Sequence, residues 1–262
     1  MMSESFYSRV ISYKNTAQYN ESIHKEFEEE LLSISWLQNH RFYCEQNNLG
    51  FGDRAFHFMW YLLLQSVCSE FKNPHILEIG VYKGQILSAW ALIAQKLNLD
   101  VSITGISPLT GNSWWSKIKD FKFVDFIKDW QSGNFYSQED YYAVIKQLFD
   151  KFDLDINSIN LIKGFSNDEF VLNQVKNDKF HIIYIDGDHT YEGVLQDIKN
   201  YSPLIVENGF LIMDDASYFL PGKTYHKGHK SVSKACAIIP EMGFTNILNI
   251  GHNCVFQKNS YH

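Results

Sequence analysis

The stretch Ile183-Tyr184-Ile185-Asp186-Gly187-Asp188-His189 decides the fold, and Leu211-Ile212-Met213-Asp214-Asp215 matches it further along the chain. Each is a short apolar run that ends abruptly in carboxylates. Runs of this length, bounded by turn residues, are typical of strands buried on both faces of a parallel sheet. Ligands of open α/β sheets bind beyond the carboxyl ends of the strands, so both acidic ends are expected at one rim.

The acidic residues at this predicted rim allow two interpretations. Four carboxylates so close together repel one another unless a cation or a proton intervenes. The simpler alternative is that they cap the helices that follow, since Asp is a favoured N-cap residue. Two acidic strand ends with an imidazole between them favour a functional site over two helix caps. The residues concerned are Asp186, Asp188, His189, Asp214 and Asp215.

Strands and helices alternate along the chain from residue 74 onward. The patterns predict strands at 75–79, 101–106, 159–163, 181–185 and 210–213, the last after a tight turn at 207–209. Helices are predicted near 85–97, 116–130, 139–151, 168–176, 191–205 and 231–239, and a closing hairpin at 244–257 around Gly251. This order predicts an α/β fold, a Rossmann-like seven-stranded doubly wound sheet with an antiparallel last strand.

A helical extension precedes this pattern. Residues 1–20 carry no clear signal, but apolar residues then recur at three- and four-residue steps and predict a helix from about residue 20 to 47. A Gly-Phe-Gly break follows, and Asp53 is the predicted N-cap of a second helix that runs to about Phe71. We therefore expect an extension at 1–73 and the main domain at 74–262. The aromatic faces of the extension would suit a homodimer contact.

Composition and charge argue against several classes of protein. The 262 residues are 45% hydrophobic, which is enough for one large core. A formal charge of -7 without a long basic run argues against nucleic-acid binding. The four scattered cysteines argue against structural zinc and a disulfide framework. The start lacks the regions of a signal peptide, and the apolar run 56–68 is too interrupted for a membrane span, so a cytoplasmic protein is expected.

The run Glu78-Ile79-Gly80-Val81-Tyr82-Lys83-Gly84 joins a strand to a helix through a glycine turn. Glycines let the backbone approach a ligand closely, and a helix N-terminus offers free N–H groups. The spacing is GxxxG, which differs from the dinucleotide fingerprint GxGxxG. A plain turn joining strand to helix explains this motif alone equally well.

Four motifs in order carry a resemblance to a known family. They are residues 78–84, Thr104-Gly105-Ile106-Ser107-Pro108, residues 184–192 and residues 208–215. Together they resemble a class I S-adenosylmethionine-dependent methyltransferase. The similar subgroup is the metal-dependent one that includes macrocin-type sugar O-methyltransferases and cephalosporin-hydroxylase-like proteins. The resemblance covers about residues 74 to 257 and excludes the N-terminal helices.

The resemblance implies contacts to S-adenosylmethionine. The glycine turn would border the methionine part of the cofactor. Such folds usually end the second strand with an acidic residue that holds the ribose, but this chain has Ser107 there, which shifts ribose contacts toward Gln85 or another side chain. Residues 164–166 would lie beside the adenine. The implied cofactor-binding residues are Glu78, Gly80, Tyr82, Gly84, Gln85, Ser107, Ser166 and Asp186.

The resemblance also implies a metal centre and a general base. Asp186, Asp214 and Asp215 would bind a divalent cation, with magnesium the expected ion, and His189 would be the base beside Asp186. The chemistry suits these residues, because an alcohol is a poor nucleophile until it loses its proton. A hard cation lowers the pKa of a hydroxyl, and histidine accepts protons near neutral pH. The alternative for His189 is a polar contact to the next helix turn.

The expected function is S-adenosylmethionine-dependent, metal-assisted O-methyl transfer to a small-molecule hydroxyl, on a sugar, nucleotide sugar or glycan precursor. Two alternatives are a non-catalytic scaffold that kept the fold and a nicotinamide-dependent oxidoreductase; the GxxxG spacing disfavours the second. Two further stretches can touch the acceptor. Residues 112–119, with Trp114 and Trp115, form either a lid or a packing surface. Residues 223–230, with His226, Lys227 and His229, either hold a phosphate or carboxylate or form a solvated loop.

Overall fold

Seven strands form one mixed sheet in the computed structural model, which describes residues 5–51, 53–109, 140–223 and 225–260. The spatial order is β3-β2-β1-β4-β5-β7-β6. The first five strands in the chain run parallel, and β7 lies antiparallel between β5 and β6. The bounds are β1 His75–Ile79, β2 Ser102–Ser107, β3 Ile159–Lys163, β4 Phe180–Ile185, β5 Ile205–Met213, β6 Phe244–Ile250 and β7 Asn253–Lys258. The predicted fold class is confirmed.

Helices cover both faces of this sheet. Within the described ranges the α-helices are α1 Phe6–Ser12, α2 Ala17–Leu31, α3 Ser35–Gln46, α4 Arg54–Glu70, α5 Gln85–Leu97, α6 Tyr141–Lys151, α7 Glu169–Val175, α8 Tyr191–Tyr201 and α9 Lys230–Ala235. Short 3-10 segments at Ile156–Ser158, Ser202–Leu204 and Cys236–Met242 complete the connections. No helix in these ranges is long and apolar enough to cross a bilayer.

The two faces of the sheet have separate hydrophobic cores. On β4, Ile182 and Tyr184 face the N-terminal helices and α5, whereas Ile183 and Ile185 face the layer of α7, α8 and α9. This alternation follows from the two-residue period of a strand that is buried on both sides. Trp60 of α4 anchors the first layer, with its ring centroid 5.2 Å from that of Tyr184. The extension thus shares a core with the sheet, and the domain boundary at residue 73 stays a prediction.

The aromatic side chains of the extension are largely used inside the chain. Phe6 packs edge-on against Phe210 of β5 at 5.7 Å, and Trp60 packs against Trp90 of α5 at 4.9 Å. Phe27 is fully buried as well. Burial of large aromatic rings stabilises the contact between extension and sheet. The predicted homodimer contact therefore rests on fewer exposed aromatic side chains than the sequence suggested, and it stays a prediction.

Two sequence-based expectations about the elements were wrong. The helix expected at 20–47 is broken at residues 32–34, because α2 packs on α4 and β6 whereas α3 packs on α5. The apolar spacing continues through the break, so periodicity could not reveal it. The fifth strand begins at Ile205, before the turn expected at 207–209, which lies inside β5 as an irregularity. Pairing with β4 shifts there from Phe180↔Ile205 to Ile182↔Phe210, and Asn208 adopts a φ of 59°.

The parallel register places the ends of three central strands level with one another. Ile79 pairs with Ile185, and Ile185 pairs with Met213. The backbone continues this alignment one residue further, since the Asp186 N–H donates to the Ile79 carbonyl at 2.8 Å and the Asp214 N–H donates to that of Ile185 at 3.0 Å. Residues 80, 186 and 214 therefore lie side by side at the carboxyl edge, where α/β proteins bind ligands.

Candidate active site at the carboxyl edge of the sheet

The glycine turn after β1 lies directly against the end of β4. Gly80 has a φ of 97°, and a Cβ atom there would lie 1.9 Å from the Asp186 carbonyl oxygen. Both its left-handed backbone and this close approach require glycine. Gly84 is the N-cap of α5 and provides no capping side chain, so the N-terminus of that helix lies at the same edge. The predicted cofactor turn and the predicted acidic rim are therefore in direct contact.

Glu78 is a buried carboxyl group beneath this turn. Glu78 is 3% exposed, and its Oε2 has no hydrogen-bond partner among the described residues. Burial raises the pKa of Glu78 to about 8, the charge of Asp214 adds to this, and a hydrogen bond from the Leu87 N–H acts in the opposite direction. An unpartnered carboxyl oxygen at this depth suits a ligand that brings a positive charge.

The other predicted cofactor residues have different surroundings. The Tyr82 ring stacks on Phe51 with centroids 5.4 Å apart. Ser107 is buried at the end of β2, where its Oγ accepts a hydrogen bond from the Leu109 N–H at 3.2 Å. The Ser107 carbonyl accepts from the Gly164 N–H at 3.0 Å, which brings the ends of β2 and β3 together. Ser166 follows two residues later, so the implied ribose and adenine residues lie along one edge.

Gln85 points into the N-terminal extension. With its amide oriented to satisfy both atoms, its nitrogen donates to the Phe51 carbonyl at 3.1 Å and its oxygen accepts from Arg41 at 2.6 Å. Gly50 leaves the room for this side chain, because a Cβ atom there would lie 2.2 Å from the end of the Gln85 side chain. The side chain is thereby engaged in holding α5 to the extension. The cofactor role implied for Gln85 stays a prediction.

Three carboxylates converge where β4 and β5 end. Asp214 and Asp215 are each less than 10% exposed, and 30% of the Asp186 side chain is exposed. Removal from bulk water raises the pKa of Asp186, and the charges of Asp215 and Glu78 raise it further. Removal from water and the charge of Asp186 likewise raise the pKa of Asp214, against the opposing effect of His252. Such a cluster favours binding either protons or a cation.

Asp215 stands at the centre of a ring of imidazoles. Its Oδ2 lies 3.7 Å from His189 Nδ1 and 3.3 Å from His229 Nε2. Its Oδ1 lies 3.5 Å from His226 Nε2 and 4.0 Å from His252 Nε2. Each carboxylate oxygen therefore faces two imidazoles. Carboxylate oxygens and imidazole nitrogens in this arrangement are the donors that divalent cations use in proteins.

His189 lies between two of the carboxylates. Its Nε2 is 3.5 Å from Asp186 Oδ1, while its Nδ1 faces Asp215. Its side chain is 37% exposed, so it can meet a substrate. The neighbouring Asp188 instead hydrogen-bonds the backbone N–H and the hydroxyl of Thr190, the N-cap of α8, at 2.8 and 2.9 Å. Of the two acidic residues after β4, only Asp186 faces the candidate site.

The loop of residues 217–229, described except at residue 224, is tied to the extension. The Lys223 N–H donates to Glu21 of α2 at 2.7 Å, and the Asn20 amide donates to the Pro221 carbonyl at 2.9 Å. The Lys227 ammonium donates to the Leu220 carbonyl. His226 and His229 of this loop face Asp215, but their side chains are 66% and 51% exposed, so both interpretations of the loop stay predictions. Trp114 and Trp115 lie outside the described residues.

Sequence reasoning missed His252 and Asn253 as members of the site. The Asn253 amide donates to Asp214 Oδ1 at 3.0 Å, and His252 Nε2 lies 3.4 Å from the same atom. Both residues stand at the β6–β7 turn. The pairing of Met213 with Cys254 brings that turn to the acidic pair. The signal that could have found them is therefore the strand order, since a strand placed next to β5 delivers its first residues there.

Comparisons with known proteins agree with this architecture. A family model described as a methyltransferase domain matches residues 77–216. An uncharacterized protein of Acanthamoeba polyphaga mimivirus is 25% identical over 177 residues, 66% of this chain and 64% of that relative's length.

Solved structures also share the fold, among them the following two. The O-methyltransferase NovP has 15% sequence identity and a TM-score of 0.61, covering 79% of this chain and 81% of its own. A protein from Staphylococcus aureus described as a caffeoyl-CoA O-methyltransferase has 17% identity and a TM-score of 0.58, covering 89% of this chain and 99% of its own. With a family match over more than half of its length, the chain belongs to the methyltransferase domain family and has the fold of the class I S-adenosylmethionine-dependent methyltransferases.

Proposed function

We propose that the protein catalyses S-adenosylmethionine-dependent, divalent-metal-assisted O-methyl transfer to a hydroxyl of a small molecule. The observation that carries the proposal is the contact between the glycine turn and the acidic rim, where Gly80 has no room for a side chain against Asp186. A methyl donor bound at the turn would therefore lie next to an acceptor bound at the rim. Methyl transfer needs such proximity, because it is a displacement at a carbon that is already activated.

The residues of the turn suit the proposed cofactor. S-adenosylmethionine supplies a methyl group on a sulfonium, and its methionine part carries an ammonium group. Such a cation would satisfy the buried Glu78 Oε2, which has no partner in the part of the chain that the structure describes. The bare backbone at Gly80 leaves space beside the turn, and Gly84 places no capping side chain over the N-terminus of α5, where a carboxylate is favoured. Favourable charge is thus available for both ends of an amino acid.

The acidic cluster suits a divalent cation. Asp186, Asp214 and Asp215 would hold it, and their mutual repulsion would be relieved by binding. When bound, the ion supplies a positive charge that lowers the pKa of a nearby hydroxyl. Oxygen donors alone would suit magnesium, the ion that the sequence predicts. Imidazoles also face this cluster, which bears on the identity of the ion.

His189 is the proposed general base. Asp186 and Asp215 lie beside its two ring nitrogens, at 3.5 and 3.7 Å. A neutral ring has one unprotonated nitrogen, and that nitrogen can accept the proton of an acceptor hydroxyl that approaches from the exposed side. His189→Ala should leave cofactor binding intact and lower turnover by about 10²- to 10⁴-fold, the usual contribution of a general base. Unchanged turnover in this variant would leave His189 with no role beyond positioning.

The proposed acceptor is a sugar, a nucleotide sugar or a glycan precursor, with or without a phosphate. Tyr218 and Phe219 support this class, because they follow the acidic pair by a few residues and are 45% and 58% exposed. Exposed aromatic rings offer flat apolar surfaces for a ring-shaped ligand. Lys230 and the loop histidines would face a phosphate. The net charge of -7 argues against nucleic acid as the acceptor.

Calorimetry with the demethylated product, S-adenosylhomocysteine, tests the cofactor assignment. Binding with no response to nicotinamide dinucleotides supports the proposal. A folded protein that binds neither supports the non-catalytic scaffold, and one that binds only the dinucleotide supports the oxidoreductase.

Chelation tests the cation in a methyl-transfer assay with a panel of sugar acceptors. Activity should fall on chelation and return when magnesium or manganese is added. Full activity after thorough chelation would instead favour carboxylates that act without metal. In that case a single aspartate should be essential as the base, and Asp186→Asn, Asp214→Asn and Asp215→Asn would identify it.

A further inference from the structure

His252 is a buried imidazole that faces the acidic pair from the β6–β7 turn. The residue is 5% exposed, and its Nε2 lies 3.4 Å from Asp214 Oδ1 and 4.0 Å from Asp215 Oδ1. Both carboxylates are themselves nearly buried. The three donor atoms lie close enough together to hold one ion. His252 is thus the most enclosed of the imidazoles around Asp215.

The distances fit donors that share an ion better than donors that bond each other. N–H···O hydrogen bonds measure about 2.7 to 3.2 Å, as the 3.0 Å bond from Asn253 to Asp214 does. In a tetrahedral site with bonds of about 2.1 Å, neighbouring donor atoms are about 3.4 Å apart. The contact from His252 to Asp214 has that length. The space between the two side chains therefore matches an ion-sized gap.

The surrounding structure holds the His252 ring in this position. Its carbonyl accepts a hydrogen bond from the Ala216 N–H at 2.8 Å, which fixes the turn next to the acidic pair. Phe56 of α4 packs edge-on against the ring with centroids 4.5 Å apart. Gly251 allows this approach, since a Cβ atom there would lie 3.2 Å from both Phe56 and His24. The N-terminal extension thus preorganises a donor of the site.

We propose that His252 is a nitrogen ligand of the cation held by Asp214 and Asp215, so that the site takes a transition-metal ion in preference to magnesium. The inference rests on the cation-assisted function that we propose. Imidazole nitrogen binds Zn²⁺ and Fe²⁺ well, whereas Mg²⁺ prefers oxygen and a nearly octahedral shell. Manganese accepts both donor types and serves as the probe. The proposal also gives the N-terminal helices a function, since they set the position of the ligand.

Pulsed electron paramagnetic resonance on Mn²⁺ tests the assignment, because it detects nitrogen nuclei bonded to the ion. The protein is freed of metal with a chelator and given one equivalent of Mn²⁺. We expect a nitrogen coupling that changes when the histidines carry ¹⁵N. The coupling should vanish in His252→Gln and persist in His229→Gln. The second variant is a matched control, because His229 also faces Asp215 but its side chain is 51% exposed.

Competition between ions gives a second readout. His252→Gln should lower the affinity for Zn²⁺ by more than about 100-fold and leave that for Mg²⁺ nearly unchanged, since loss of an outer-shell contact alone costs about 10- to 100-fold. Thermal unfolding shows whether the variant is folded. If it is not, the coupling is measured in a chain with His189→Gln, His226→Gln and His229→Gln together. A coupling that persists there supports His252 as its source, and one that disappears overturns the proposal.

Three other results would overturn the proposal. They are Mn²⁺ bound without any nitrogen coupling, a coupling that survives His252→Gln, and a coupling that is lost in His229→Gln. Mn²⁺ bound through oxygen alone refutes only the role of His252 and leaves metal-assisted methyl transfer standing. A protein that binds no divalent ion refutes both. If Mn²⁺ binds through oxygen alone, His252 is a polar neighbour of Asp214 and not a ligand of the ion.

Discussion

Without cofactor, the Glu78→Gln variant should become increasingly more stable than the wild type as the pH rises. Burial raises the pKa of Glu78 from its ordinary 4.5 to about 8. Between these values the folded protein keeps the proton while the unfolded chain has lost it, so stability falls as pH rises through this window. One pKa unit corresponds to about 1.4 kcal/mol, which gives about 5 kcal/mol over the whole window and about 3 kcal/mol between pH 5 and 7.5.

Urea unfolding of wild type and Glu78→Gln at pH 5 and pH 7.5, with chelator and without cofactor, measures this effect. The difference in unfolding free energy between the two proteins cancels the contributions of the other buried acids. It should move in favour of the variant by about 3 kcal/mol between the two pH values. Stability curves that stay parallel over this range would refute the reasoning, because Glu78 would then titrate alike in the folded and unfolded states.

Asp197→Asn provides a matched control for Glu78→Gln. Asp197 is 2% exposed, and burial raises its pKa to about 6, against a hydrogen bond from Ser166. The stability that Asp197→Asn gains over wild type with rising pH should therefore level off near pH 6, whereas that of Glu78→Gln continues to rise to about pH 8.

Cofactor affinity should fall in Glu78→Gln while the stability of the cofactor-free protein rises. Loss of a charge-assisted hydrogen bond worth about 1.5 to 3 kcal/mol predicts roughly 10- to 100-fold weaker S-adenosylhomocysteine binding by Glu78→Gln in calorimetry.

Three further substitutions test the framework of the site. Gly80→Ala should abolish cofactor binding in calorimetry and lower the free energy of unfolding by at least about 1 to 3 kcal/mol, because its Cβ would lie 1.9 Å from the Asp186 carbonyl. Normal binding would contradict the close contact between the glycine turn and the end of β4. Asn20→Ala should speed proteolysis within residues 217–229, which its amide ties to α2; an unchanged digestion pattern would show that the tie is dispensable. Phe56→Leu should loosen His252 and weaken Zn²⁺ binding while the protein stays folded; unaltered affinity would contradict preorganisation.

The sheet could be predicted from the sequence because its central strands are buried on both faces. In a chain of this length, few structures other than a buried strand accommodate an apolar run such as Ile182 to Ile185. Capping residues such as Asp53 located helix starts as well, and its carboxylate does accept from the Ala55 N–H. The break at 32–34 could not be predicted, because the choice between one long helix and two shorter ones depends on which partner surfaces are present.

The candidate site could be predicted only as far as strand ends reveal it. Asp186, Asp214 and Asp215 follow apolar runs directly, so their meeting follows from parallel pairing. His252 comes from a hairpin whose position beside β5 depends on strand order, which local patterns do not encode. Likewise, the engagement of Gln85 with Arg41 depends on how the extension docks on the sheet. Residues that reach a site through long-range packing are those that sequence patterns miss.

The position of β7 has a consequence for biosynthesis. Among the described residues, Asn253–Lys258 is the strand that comes last in sequence, yet it lies between β5 and β6 in the sheet. During translation β6 leaves the ribosome first and has no neighbour until β7 follows, so Phe244–Ile250 must wait with open edges. The same hairpin carries the imidazole of residue 252 to the acidic pair. A nascent chain that stalls before this point would hold the five parallel strands without the β6–β7 hairpin, and therefore without the imidazole of the proposed ion-binding site.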